Sequence, residues 1–184
     1  MTFGAPLFTV LIALAAPAVG TTSWVDGEMG YRVTVAPAGS AAARHGLTLG
    51  DILAEPQPLP ARLRDSGPGG VEIPIYRLNT ATAAYEPATL TIMFLPGEEH
   101  RLGTTGDLGF LVTAVRSGTL GERAELKAGD FIPKIDETFV HDAADLKLVD
   151  EAYEKGEPVL IHFTRWYPES ASYTDDVTRR RFVK

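Results

Sequence analysis

Apolar residues alternate with small or polar ones at period two along much of the chain after residue 30, the signature of strands buried on one face. The pattern predicts strands over residues 31–36, 52–54, 71–78, 89–95, 108–115, 131–135, 159–165 and 177–183. Two pairs of these read as hairpins, 71–78 with 89–95 and 159–165 with 177–183. Helical spacing is confined to short runs. Ser40 is a good N-cap ahead of residues 41–44, and residues 121–126 form a second short run. A longer helix is expected over residues 142–155, with Asp142 as N-cap, Gly156 as stop and Leu146, Val149 and Tyr153 on one stripe. Pro56, Pro58 and Pro60 argue against helix or central strand in that stretch, and residues 65–70 read as a Gly/Pro loop. The expected class is mostly β with short helices, α+β.

The pattern occurs twice. Gly30 and Gly109 are 79 positions apart, as are Gly50-Asp51 and Gly129-Asp130, so the two copies align without a gap. Eight of the twenty-two residues from 30 to 51 are identical in the second copy: Gly30, Val33, Thr34, Gly39, Arg44, Leu47, Gly50 and Asp51. Background composition gives roughly one or two such matches. Arg77 and Arg165 end equivalent later strands at a spacing of 88, the added residues falling in the longer helical region of the second copy. The repeat implies two tandem units, 21–96 and 97–184, each large enough for its own core. In the first, the second helix is expected to be missing.

Composition narrows the function. A net charge of −7 argues against nucleic acid and anionic membrane surfaces as partners. The absence of cysteine removes disulfides, thiolate chemistry and cysteine metal sites. His100, His141 and His162 are scattered without metal-ligand spacing, and no cofactor or phosphate loop is visible, so neither a metal nor a cofactor is expected. Residues 1–20 look like a signal peptide, with an apolar run from 7 to 19 and small residues around a cleavage point near Thr21. The start lacks a Lys or Arg, and an uncleaved anchor is the alternative, although about 15 apolar residues are short of the roughly 20 that span a bilayer. The expectation is export to a periplasmic or extracellular location, with no stable membrane insertion after cleavage. Ser66, in Asp65-Ser66-Gly67-Pro68-Gly69, is similar in surroundings to the nucleophile of trypsin-like proteases. A serine nucleophile needs a histidine base and an orienting acid. Only His45 precedes it, inside a short helix, so the stretch is read as a loop and no enzymatic activity is expected.

Glycine loop, strand, short helix, Gly-Asp turn and strand, in that order, resemble the first half of a PDZ domain, and Asp107-Leu108-Gly109-Phe110 matches that family's x-Φ-G-Φ loop. The resemblance is to the PDZ modules of bacterial envelope serine proteases, without a protease domain, and implies two partly open β-barrels. It implies a non-catalytic adaptor that binds a protein or peptide segment, terminal or internal, by adding it as a strand beside the loop. The peptide would lie against Leu108, Gly109, Phe110 and Leu111, with Ala143, Lys147 and Asp150 on the bordering helix flank. Met29, Gly30, Tyr31 and Arg32 form the secondary candidate. A side chain at Gly109 would then block the ligand without unfolding the protein. Carboxylates at Asp26, Glu28 and Asp107 would oppose a terminal carboxylate. A regulatory subunit of an envelope protease system and a structural module of a secretion assembly are the alternatives.

Overall fold

The computed structural model describes residues 19–56 and 58–181, so all but the last two residues of the expected signal segment lie outside it. The first repeat contains β1 (Val19–Thr21), β2 (Val25–Val35), α1 (Ala41–Arg44), β3 (Ile52–Ala54), α2 (Leu59–Arg64), β4 (Val71–Asn79) and β5 (Ala84–Ile92). The second contains β6 (Thr105–Val115), α3 (Leu120–Arg123), β7 (Phe131–Ile135), β8 (Thr138–Phe139), α4 (Lys147–Lys155), β9 (Pro158–Tyr167) and β10 (Ser172–Arg181). The fold is mostly β with a few short helices, as the alternation predicts.

All the strands belong to one antiparallel sheet, in the order β10-β9-β7-β6-β2-β3-β4-β5, with β1 beside β2 and β8 beside β7. The order is palindromic once each strand is exchanged for its repeat counterpart. Its centre is the β2–β6 pair, where Gly30 lies opposite Gly109. The register slips by one residue at each end of this pair, leaving Thr34 of β2 and Thr113 of β6 without an opposite number. These bulges are repeat counterparts, so the sheet carries an internal two-fold relation down to single residues. A strand pair that contacts itself in this way is the intrachain analogue of an isologous dimer interface.

Each repeat has its own core, but the cores exchange residues. Phe110, Ile132, Leu146, Val149 and Ile161 form the second, and Trp24 and Val25 of the first repeat are buried among them. Val33, Leu53, Leu59, Leu63 and Ile73 form the first, joined by Leu102 from the second. The boundary at residues 96/97 is therefore crossed in both directions by the segments that lead into β2 and β6. On the other face of the sheet, Ile52, Leu111 and Phe131 make a third small cluster under Tyr76 and Tyr85. There the curling sheet brings its outer strands together, and the Tyr85 and Tyr173 hydroxyls meet at 3.1 Å.

Three local expectations are corrected. A second helix does exist in the first repeat, because Pro60 falls in the first turn of α2, where a missing N–H costs no helical bond. The helix expected from residue 142 begins at Lys147. Residues 142–146 instead make successive tight turns, with Asp142 Oδ1 accepting from the Ala144 amide and Asp145 from those of His141 and Asp142. Leu146 and Val149 are buried as the stripe requires. Finally, β5 and β10 each start five residues earlier than expected. Pro87 is accommodated in β5 because this strand lies at the edge of the sheet, where its missing donor breaks no ladder.

Candidate functional site

The residues expected to receive a peptide by strand addition already receive a strand. Leu108, Gly109, Phe110 and Leu111 pair with Tyr31, Gly30, Met29 and Glu28 on one side, while Phe110 and Leu111 pair with Ile132 and Phe131 of β7 on the other. The two candidate sites are thus each other's partners: Met29, Gly30, Tyr31 and Arg32 fill the slot of the second repeat, and the second repeat fills theirs. Strand addition at these residues would require pulling β2 from β6. The expectation for Gly109 changes with it. A Cβ there would lie 2.6 Å from the Ile132 carbonyl oxygen and 2.8 Å from the Phe131 ring, so a side chain disturbs the sheet itself.

The helix flank expected to border a groove is covered in part by the chain's own residues. Asp150 of α4 accepts a hydrogen bond from Ser23 Oγ. Trp24 follows, fully buried in the core that contains Phe110, Ile132 and Val149. The Thr119 hydroxyl, 2.6 Å from the Arg116 carbonyl, also lies 3.0 Å from the Trp24 carbonyl. Ala143 packs against this core, whereas Lys147 is exposed. Residues 23 and 24 therefore close the space between β6 and α4 from within the chain.

The corresponding groove of the first repeat is not full. Leu102 takes the place of Trp24: its carbonyl accepts from the Ala42 amide at 3.0 Å, at the first turn of α1, as the Trp24 carbonyl lies over Gly121 at the first turn of α3. Leucine is the smaller side chain and Gly103 follows it. A cavity of about 700 Å³ remains between β2, α2 and residues 99–104, walled by Tyr31, Leu53, Leu59, Leu63, His100 and Leu102. Arg64 and Arg101 stand on its rim. The Phe94 ring stacks on His100, with centroids 4.6 Å apart.

The repeated Gly-Asp turn has an electrostatic purpose. Asp51 takes a two-pronged bond from Arg77 at 2.9 and 2.6 Å, and Asp130 the same from Arg165 at 2.7 and 2.7 Å. In each repeat a backbone amide, of Thr48 or Lys127, also donates to the carboxylate at 2.8 Å. The buried carboxylates raise the pKa of both guanidinium groups above the ordinary arginine value. The carboxylates near the glycine loops are less uniform. Asp107 pairs with Arg32 at 3.0 Å and Asp26 with Arg116 at 2.5 Å. Glu28 is buried, with one oxygen unpaired and Tyr76 as its hydrogen-bond partner. Burial raises its pKa, and nearby Glu55 raises it further.

Ser66 does meet a histidine, though not His45. Its hydroxyl lies 3.1 Å from His100 Nδ1. The same hydroxyl donates to the Leu63 carbonyl at 2.7 Å, which Nδ1 also meets at 3.1 Å. Serine and histidine thus both close the C-terminal end of α2, and no carboxylate orients the ring among the described residues. No cluster of metal-binding side chains occurs among the described residues, and none of their helices is long and apolar enough to cross a membrane.

Trp24, Leu102 and His100 were not singled out by the sequence pattern. One signal was within reach: Gly27 and Gly106 are also 79 apart. A Cβ on either would lie 2.0 Å from a backbone oxygen of the opposite strand, Leu111 for Gly27 and Arg32 for Gly106. They are the marks of close pairing between the repeats. No family model and no curated protein sequence matches the chain.

Proposed function

We propose that this chain is an exported, non-catalytic binding module of two PDZ-like repeats, and that its binding site is the cavity of the first repeat. The observation that carries the reading is the contrast between grooves: one is filled by Trp24, while the other keeps about 700 Å³ open. That volume lies within the roughly 300–1,000 Å³ of ordinary ligand sites, with apolar walls and a few polar groups at the edge. A protein or peptide segment is the partner this lining fits. The test is NMR mapping of peptides selected from a displayed library against the whole chain. Amide shifts should cluster at residues 59–64 and 99–104. Shifts along β6 and α4 instead would return the site to the second repeat, with displacement of the Trp24 segment.

The mutual pairing of β2 and β6 favours a second reading, a structural module whose strand edges serve only to hold the repeats together. It predicts that no peptide in the library binds the folded chain.

A further inference from the structure

We infer that the first repeat's cavity takes an aromatic side chain, tryptophan above all, carried on an acidic segment of a partner and inserted without strand addition. This rests on the reading of that cavity as the binding site.

The second repeat supplies the template. Its groove holds a backbone strand and the Trp24 indole, which has no exposure to solvent, with the Trp24 carbonyl 3.0 Å from the hydroxyl of Thr119 at the N-cap position of α3. The first repeat holds the matching backbone strand, since residues 105–108 pair with β2 and the Leu102 carbonyl bonds to α1. The side chain that follows from the template is absent, because Leu102 and Gly103 stand in its place. The vacancy is thus shaped for a side chain, while the hydrogen-bonding edge beside it is already satisfied. Its walls are suited to a flat ring: Tyr31 and His100 face the space with Leu53, Leu59 and Leu63. His100 Nδ1 meets the Leu63 carbonyl, which can only accept, so in the neutral ring the hydrogen sits on Nδ1. Nε2 is then an acceptor suited to an indole N–H.

Charge specifies the rest. In a chain of net charge −7, the cavity lining carries Arg64 and Arg101 against a single acid, Glu99. Arg101 pairs with Glu99 at 3.1 Å, both largely exposed, while Arg64 has no ion pair among the described residues. A carboxylate beside the inserted ring meets that local excess of positive charge. The Trp24 segment has the same character: Asp26 and Glu28 follow Trp24.

The experiment is calorimetric titration of the whole chain with a blocked hexapeptide copying positions 23–28, Ser-Trp-Val-Asp-Gly-Glu. Saturable binding is expected, weakened about tenfold or more when the peptide tryptophan becomes alanine. Replacing its acids by lysine, or raising salt to about 0.5 M, should weaken it several-fold. Leu102→Trp, which copies the template into the cavity, should abolish binding with the circular dichroism spectrum unchanged. Should that variant not fold, Arg64→Glu with Arg101→Glu tests the same site from exposed positions, and binding should fall several-fold. Binding that survives both variants overturns the inference, because the peptide has then displaced the Trp24 segment in the second repeat. If library peptides map to residues 59–64 but aliphatic or basic ones bind better than this one, the inference fails and the cavity stands as the site. If none maps there, both fail.

Discussion

The two repeats share a strand order, a buried Asp–Arg pair and a bulge, yet they treat their grooves differently. In the second, the longer α4 and Trp24 close over one another, and Ser23 is tied to Asp150. In the first, a shorter α2 faces Leu102 and a cavity. The difference teaches that duplication preserved what holds the sheet together and left the groove free to diverge. The repeat with the better-formed helix is the occupied one.

The sharpest way to break this comparison is to remove the plug. Trp24→Ala should cost about 3–5 kcal/mol in urea unfolding, and Leu102→Ala nearer to 2 kcal/mol, because the leucine already borders open space. Equal losses would mean that the grooves are not differently filled. Next is the conserved element of the pair. Arg165→Ala leaves Asp130 buried and unpaired and should cost about 3 kcal/mol. Arg77→Ala should cost less, since the Arg77 side chain is 42% exposed, against 16% for Arg165, and water can reach Asp51 in its place. An identical cost would show the two pairs to be equivalent despite their different exposure.

The smallest effect concerns Glu28, whose repeat counterpart Asp107 has an arginine where Glu28 has only Tyr76. Its pKa is raised in the folded protein, so the folded state holds this proton more firmly than the unfolded one. Its contribution is fully present below the ordinary value of 4.5 and is lost as pH rises through the folded pKa. Glu28→Gln should flatten that decline and leave the protein more stable than the parent at neutral pH. Unfolding measured at pH 4 and pH 8 checks it, and an unchanged slope would exclude Glu28 as the source.

Much of the fold was legible because it rests on local rules. Alternation marked the strands, and the spacing of 79 between Gly-Asp turns marked the repeat. What alternation cannot show is which edge pairs with which. The strand at Leu108–Leu111 looks the same whether its neighbour is a foreign peptide or the chain's own residues 28–31, since backbone pairing leaves little trace in side chains. Only the glycines at 27 and 106 carry that information, by being unable to bear a Cβ. Trp24 was hidden for another reason: it precedes the aligned window, and the position 79 residues further on is Gly103, so the repeat spacing gave no sign of it. The α2 helix was obscured by Pro60, whose effect depends on whether it falls in the first turn or beyond.

The β2–β6 pair has a consequence for dilution. Each strand is eleven residues long, and alone it would offer a long unpaired edge, the kind of surface that invites aggregation. Two separate repeats could satisfy it only by meeting in solution, and would come apart when scarce. Joined through the turn at Pro96-Gly97, they face one another at an effective concentration of about millimolar. The covalent link turns an association into a property of the single chain, so the sheet is complete in every molecule however few there are.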